Sequence, residues 1–349
     1  MDNKFYDYYK KYKKEIEKSL LDFNNVIINE ETGIIKDNIE KFCELNISGK
    51  MIRGILITLG YKISGEENIS YSIPLSTAYE IFETSILVHD DIIDNDGIRR
   101  GKLTIPYYNR EKYKNYINNN EVSDSIGICI GDYGLYKSSN LILENYKDDK
   151  NLYNILKIYN QTVLDTIRGE ILDVVLPFEE LNKIYKGKLE EDIFNIYRLK
   201  TSYYTLVGPL KLGMTLGNLP KDKQEEIINY ALPLGIAYQI KDDVLGIFED
   251  EIGKVVGSDI REFKQTIMYS YAKKTEYYEE LLNYYGKDEI NLEKIREIFT
   301  KCGAKDYAIY KMEELFNESI NNLKKIDWLN NNDKKILEDF IEFLKERKK

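Results

Sequence analysis

Apolar residues recur at three- and four-residue spacing along most of the chain, which predicts helices rather than strands. Over residues 74–94, Leu75, Ala78, Tyr79, Phe82, Ile86 and Val88 fall near one broad helical face. Residues 151–178, 189–217 and 223–248 carry the same periodicity, and Ile336, Leu337, Phe340, Ile341 and Leu344 repeat it near the end. Alternation bounded by paired turn signals, the mark of half-buried strands, is not evident. Two stretches interrupt the pattern: 97–121, GIRRGKLTIPYYNREKYKNYINNNE, and 249–262, EDEIGKVVGSDIRE. No Gly/Ser- or Pro-rich linker divides the chain, and no repeat of fixed period occurs. The expectation is an all-α fold in one domain over 1–349, with a charged tail at about 345–349.

Composition supports that reading and narrows the chemistry. Hydrophobic residues make up 43% and charged residues 32% of the 349 positions, and prolines number only 6. Scarce proline with abundant Lys, Glu, Leu and Ile favours helix. The formal net charge is −10, and no long basic stretch precedes the terminal Lys-Glu-Arg-Lys-Lys, so no nucleic-acid partner is expected. An anionic ligand would need local cations or a metal to hold it against that charge. The 3 cysteines, Cys43, Cys129 and Cys302, form no CxxC pair, which fits a reducing cytoplasm and no structural zinc. The polar N-terminus lacks a signal-peptide core, and no run of 18 apolar residues exists to span a membrane. The expected location is cytoplasmic.

Three constellations carry chemistry. Asp90, Asp91 and Asp94, at i, i+1 and i+4, project three carboxylates over adjoining helix surface among Leu87, Val88, Ile92 and Ile93. A partly buried cluster of that kind needs a cation, and hard oxygen ligands suit magnesium. Asp242 and Asp243, preceded by Gln239 and followed by Gly246 and Asp250, sit in the apolar helix ALPLGIAYQIKDDVLGIF. The cations are Lys50 and Arg53 in GKMIRG, Arg99 and Arg100 directly after the first acids, and Lys200, Lys254 and Lys264. Arg grips phosphate oxygens bidentately and Lys acts as a point charge. Any one of them alone reads as a surface residue; their placement beside both acid clusters changes that. His89 is the only histidine, which leaves no His-based zinc site and reads as structural or as support for Asp90.

Taken together, these residues resemble the trans-isoprenyl diphosphate synthases, the family of farnesyl and geranylgeranyl diphosphate synthases, from about Gly49 to Thr266. LVHDDIIDNDGIRRGK resembles the first aspartate-rich motif and YQIKDDVLGIFEDEIGKVVGSDIREFKQT the second. RLKTSYYTLVGPLKLG and GKMIRG resemble the family's KT and GKxxRP segments. The resemblance implies a helical bundle of the isoprenoid synthase type with a central substrate cavity, and a magnesium-dependent prenyltransferase. It implies that Asp90, Asp94 and Asp242 ligate magnesium, with Asp91 and Asp243 in support. Arg99, Lys200, Lys254 and Lys264 would bind the allylic diphosphate (dimethylallyl, geranyl or farnesyl). Gly49, Lys50, Arg53 and Arg100 would bind isopentenyl diphosphate, and Thr201 and Gln239 would line the reacting carbons. It also implies a homodimer.

Four positions depart from the family pattern: Gly54 for Pro, Glu83 for His or Gln, Glu170 for Gln, and Phe263 for Gly. Glu83 falls at the isopentenyl diphosphate site, where a carboxylate that is neither protonated nor paired opposes a diphosphate, so it is expected to weaken that binding. Product length is expected to follow the residues before Asp90. Small Ser85 leaves room, Ile86 is intermediate, and Phe82 and Tyr79 form the floor, which favours geranylgeranyl diphosphate. Two other classes compete. A class I terpene cyclase would not be expected to carry Lys50 and Arg53 for a second diphosphate, and a non-catalytic modulating subunit tends to lose an acid cluster, whereas this chain keeps both.

Overall fold

The computed structural model describes residues 3–116, 119–178, 188–249, 257–287 and 289–346. The described chain is all-α apart from one two-stranded ribbon. It divides into two compact units, one of Asp7–Lys157 with Leu212–Leu219, the other of Ile158–Lys211 and Pro220 onward with the first residues through Tyr6. No described helix is long and apolar enough to cross a membrane.

The first of these, here the N-terminal unit, holds α1 (Lys4–Asn29), α2 (Gly33–Asn46), α3 (Ile52–Ile63), α4 (Ile73–Ile93), α5 (Ile105–Lys112) and α6 (Asn120–Asn145). Its centre is α4, on which Leu75, Ala78, Tyr79, Ile81 and Phe82 are fully buried. The predicted helix over 74–94 is thus present, but it is enclosed on most of its circumference rather than on one face. Helix α6 reaches α4 through small residues. A β-carbon on Gly131 would lie 2.2 Å from His89 Nε2, and one on Gly134 would lie 2.2 Å from Ser85 Oγ. Ser138 donates to the Ala78 carbonyl at 2.6 Å.

The described part of 97–121 is irregular only in places. Strands β1 (Ile98–Arg99) and β2 (Lys102–Leu103) pair antiparallel, and α5 follows with Pro106 in its first turn. The ribbon turns on Arg100 and Gly101, with φ of 54° and 76°. Two successive positive φ angles make a type I′ turn, whose twist matches that of the strands. Arg-Gly is an unusual pair for it, because Arg pays for the left-handed conformation that Gly adopts freely.

The C-terminal unit contains most of α7 (Leu152–Val175), then α8 (Leu189–Ile196), a π-helical stretch Tyr197–Val207, the first turn of α9 (Gly208–Leu216) and all of α10 (Lys221–Phe248). Short α11 (Ser258–Arg261), α12 (Ile267–Ala272) and α13 (Tyr278–Leu282) precede α14 (Leu292–Lys301), α15 (Ala304–Lys324) and α16 (Asn331–Glu346). Only part of the second predicted loop, 257–262, is described, and it holds α11. The single helix expected over 189–217 is interrupted in its middle by the π-helical turns, a conformation that recurs at functional sites. Helix α10 tolerates an internal proline because neighbours take up the carbonyls that Pro233 disturbs. Asn322 of α15 donates to the Asn229 carbonyl at 2.9 Å, and Ser319 to that of Tyr230 at 2.7 Å.

Candidate active site

Helix α4 delivers the first acid cluster at its C-terminal end. Asp90 and Asp91 lie in the last turn, and Asp94 is the C-cap residue rather than a helical position. The exposed carbonyls of a helix C-terminus are themselves negative, so acids placed there call for a cation. Arg99, on β1, supplies one from within the chain. Its guanidinium bonds Asp91 through Nε, Asp90 at 3.0 Å and Asp96 at 3.4 Å. Asp91 is only 1% exposed, and burial pushes its carboxyl up to about 7 against the pull of Arg99.

About two turns deeper along α4 lies a second cluster. The Glu83 side chain is 6% exposed, and its Oε1 meets Arg53 Nη1 at 2.9 Å and Arg100 Nη2 at 2.8 Å. The ion pairs hold its carboxyl below the usual glutamate range despite burial. This corrects the expectation for Glu83: it is not an uncompensated negative charge, because two guanidiniums from α3 and the ribbon converge on it. Beneath it Glu80 is 2% exposed and accepts the Gly54 N–H at 2.7 Å. Gly49 lies against Arg100, where a β-carbon would come within 2.9 Å of Nη1. Lys50 is exposed, and its carbonyl accepts the Tyr9 hydroxyl at 2.8 Å. Ser48, Thr84, Asp91, Arg99 and Arg100 border one narrow cleft.

The chain-length residues sit differently from their expectation. Ser85 is fully buried, with Gly134 of α6 and Phe42 of α2 directly over it, so it opens no free space beside α4. Ile86 is half-buried, one turn from Asp90 on the same side of the helix. Tyr79 and Phe82 are fully buried in an edge-to-face pair at 5.1 Å. His89 faces α6, where Nε2 is 3.2 Å from the Ile128 carbonyl and 3.5 Å from Asp132.

In the C-terminal unit, Asp243 is the buried member of its pair and Asp242 the half-buried one. Asp243 accepts hydrogen bonds from the Tyr197 hydroxyl and from Gln239 Nε2, the latter at 2.8 Å. Thr201 donates to Gln239 Oε1 at 2.6 Å, and the Ile267 N–H donates to the Tyr197 oxygen at 3.0 Å. Thr201, Gln239 and Asp243 are thus one hydrogen-bonded chain across the π-helical stretch and α10. Lys200 lies between Glu170 and Asp173 of α7, each at 2.8 Å, and Lys264 is 3.1 Å from Glu262. Glycines let these backbones close up: a β-carbon on Gly169 would lie 2.7 Å from Lys200 N, and one on Gly235 2.6 Å from Ser202 Cα. Lys254 and Asp250 lie outside the described residues.

Four residues missed in the sequence complete these clusters: Glu80, Asp96, Asp173 and Tyr197. Three had a signal, since Glu80 is three before Glu83 on an apolar helix, Asp173 three after Glu170, and Asp96 inside the first motif. Tyr197 had none, its partner being 46 residues away.

Each unit, taken by itself, sets carboxylates beside cationic side chains on helices, and an all-α chain with two such acid clusters defines the class of helical synthases. The Polyprenyl synthetase family profile matches residues 36–302, and the chain belongs to that family as a trans-prenyltransferase of the isoprenyl diphosphate synthase type. It is 30% identical over 313 residues to the short chain isoprenyl diphosphate synthase of Methanocaldococcus jannaschii, covering 86% of this chain and 85% of that one. It is 29% identical over 347 residues to the geranylgeranyl diphosphate synthase of Saccharolobus solfataricus, covering 94% and 97%. Its fold is similar, with a TM-score of 0.87 at 22% identity, to a geranylgeranyl pyrophosphate synthase from Corynebacterium glutamicum solved with isoprenyl diphosphate and magnesium, covering 99% and 100%.

Proposed function

We propose that this prenyltransferase, acting as a single catalytic domain, joins isopentenyl diphosphate to allylic diphosphates and makes geranylgeranyl diphosphate. The observation that carries the reading is the pairing of two cation groups with two acid groups along one helix: Arg99 on Asp90 and Asp91, and Arg53 with Arg100 about two turns away on Glu83. Two separate cation groups suit two diphosphates. Glu83, expected from the sequence to oppose the second diphosphate, here organises arginines instead.

Among the described residues no three His, Cys, Asp or Glu side chains are grouped to hold a metal ion by themselves. Magnesium takes one or two carboxylates and fills its shell with water and substrate phosphate. Asp90 and Asp94 would offer oxygens to it, as would Asp242. Bound there, magnesium supplies positive charge to a departing diphosphate. The chain's own residues do the rest. Arg99, Lys200 and Lys264 leave their carboxylates for the allylic diphosphate, and Arg53, Arg100 and Lys50 orient isopentenyl diphosphate. The Thr201 and Gln239 oxygens turn their dipoles toward the carbon that becomes positive. Lys254 would join the same diphosphate set.

Length control falls to Ile86, Phe82 and Tyr79, the residues below Asp90, with Ser85 held by α6. A homodimer is proposed through α6, whose side away from α4 exposes Ile128, Tyr136 and Leu143. The decisive experiment incubates the protein with labelled isopentenyl diphosphate, magnesium and each allylic primer, then sizes the products. Twenty-carbon chains are expected, and Ile86→Phe should shift them toward fifteen. No condensation with any primer would overturn the reading.

A further inference from the structure

The two glutamates under the arginines raise a question of charge. Glu80 and Glu83, three residues apart on α4, are both nearly inaccessible to solvent and their carboxyl groups lie close to each other, where a proton held on one of them relieves the like-charge repulsion. Glu83 bonds the Arg53 and Arg100 guanidiniums, whereas Glu80 bonds the Gly54 N–H and its partner acid and feels the Arg53 charge more weakly than it feels burial and Glu83. The remaining groups nearby are on α1. Tyr9 feels Glu80 together with Lys13 and Glu17, and its own hydroxyl is raised by burial.

We infer that Glu80 is a positioning residue for the arginines of the isopentenyl diphosphate site: as a neutral carboxyl bonded to Gly54 N–H and to Glu83, it fixes the carboxylate on which Arg53 and Arg100 converge. The inference rests on the proposed role of those two arginines.

Charge and space both support it. Two guanidiniums against one carboxylate leave the group with a surplus positive charge for an incoming diphosphate; an ionised Glu80 would cancel it. Burial pushes the Glu80 carboxyl well above the usual glutamate range, with Glu83 adding to the effect. The arrangement also depends on Gly54. Proline at that position would have no N–H to donate. Any β-carbon there would press on Glu80 Oε1 and on Ile16 Cδ1, each 3.1 Å away. Glycine at 54 and glutamate at 83 thus belong to one local solution.

The test is steady-state kinetics on the full-length enzyme with isopentenyl diphosphate varied at saturating allylic primer. Glu80→Gln keeps a neutral donor and an acceptor; Glu80→Leu keeps the bulk and loses both. Glu80→Leu should raise KM for isopentenyl diphosphate about tenfold, while Glu80→Gln, and in both variants kcat and the primer KM, stay within about twofold of the parent. An unchanged KM in Glu80→Leu, or a Glu80→Gln variant as impaired as Glu80→Leu, overturns the inference. Arg53→Gln separates the two levels: if it leaves KM for isopentenyl diphosphate unchanged, the arginine assignment itself is what fails. Should Glu80→Leu not fold, infrared difference spectra of the parent against Glu80→Gln decide. The parent should show the C=O stretch of a protonated carboxyl that the variant lacks; its absence from the parent overturns the inference.

Discussion

In the N-terminal unit two guanidiniums, Arg53 and Arg100, meet on one oxygen of a single carboxylate, Glu83. In the C-terminal unit one ammonium, Lys200, is divided between two carboxylates, Glu170 and Asp173. The difference follows from the side chains. A guanidinium is planar and presents several donors in a fixed fork, so two can share an acceptor and still aim donors elsewhere. An ammonium is a compact point charge, and between two acids it is neutralised until an anion competes for it. The first unit therefore keeps cationic surplus on display, and the second holds its lysine in reserve.

The largest test of that contrast removes the acids proposed to hold magnesium. Asp90→Ala and Asp242→Ala should each lower turnover by about 10²–10³ at saturating magnesium, as loss of one transition-state contact does. Circular dichroism should show both variants folded. Near-normal turnover in either would remove that unit from the chemistry.

Exchanging the cations is the next test. Arg53→Lys should raise KM for isopentenyl diphosphate roughly tenfold, since the shared acceptor geometry needs the fork. Lys200→Arg should raise KM for the allylic primer by only about threefold, a point charge being replaced by another charge of the same sign. Equal effects in the two variants would erase the distinction between the units.

Packing gives a smaller effect and a contrast inside one helix. Gly134→Ala and Gly235→Ala should each cost about 1–3 kcal/mol in urea unfolding, because an added β-carbon meets Ser85 Oγ at 2.2 Å or Ser202 Cα at 2.6 Å. Gly246→Ala, also in α10, would meet among the described residues only Asp259 Oδ2, at 3.4 Å, and should stabilise by about 0.5–1 kcal/mol through helix propensity.

The smallest effect is a slope. The Glu80 carboxyl is raised by burial, so its contribution to stability is fully present below the ordinary glutamate pKa and is lost as pH rises through its raised value. Unfolding free energy of the parent relative to Glu80→Gln should therefore fall with rising pH, by no more than about 1.4 kcal/mol per unit for one proton. A parallel pH dependence in parent and variant would show that Glu80 is not the titrating group.

Much of this was legible in the chain itself. The period of α4 and α10 and the carboxylates along them are local properties, set by side chains a turn apart. The Arg100–Gly101 turn was not legible, because the usual hairpin signals are Asn-Gly or Asp-Gly, and the Arg conformation is held by Glu83 and Gly49 from elsewhere. Ser85 misled for a similar reason: its size was visible, but Gly134 lying over it was not.

What the sequence by itself determined is the helical class, the two acid clusters, the order of cations around them and hence the family. Tertiary structure alone decided which charges cancel. Gly54 reaches Glu80 across 26 residues and Tyr197 reaches Asp243 across 46, and no periodicity spans such distances. A carboxylate's charge and partners depend on what burial brings within hydrogen-bonding reach, so Glu83 could be read in the chain only as a negative charge, and in the fold as the anchor of two arginines.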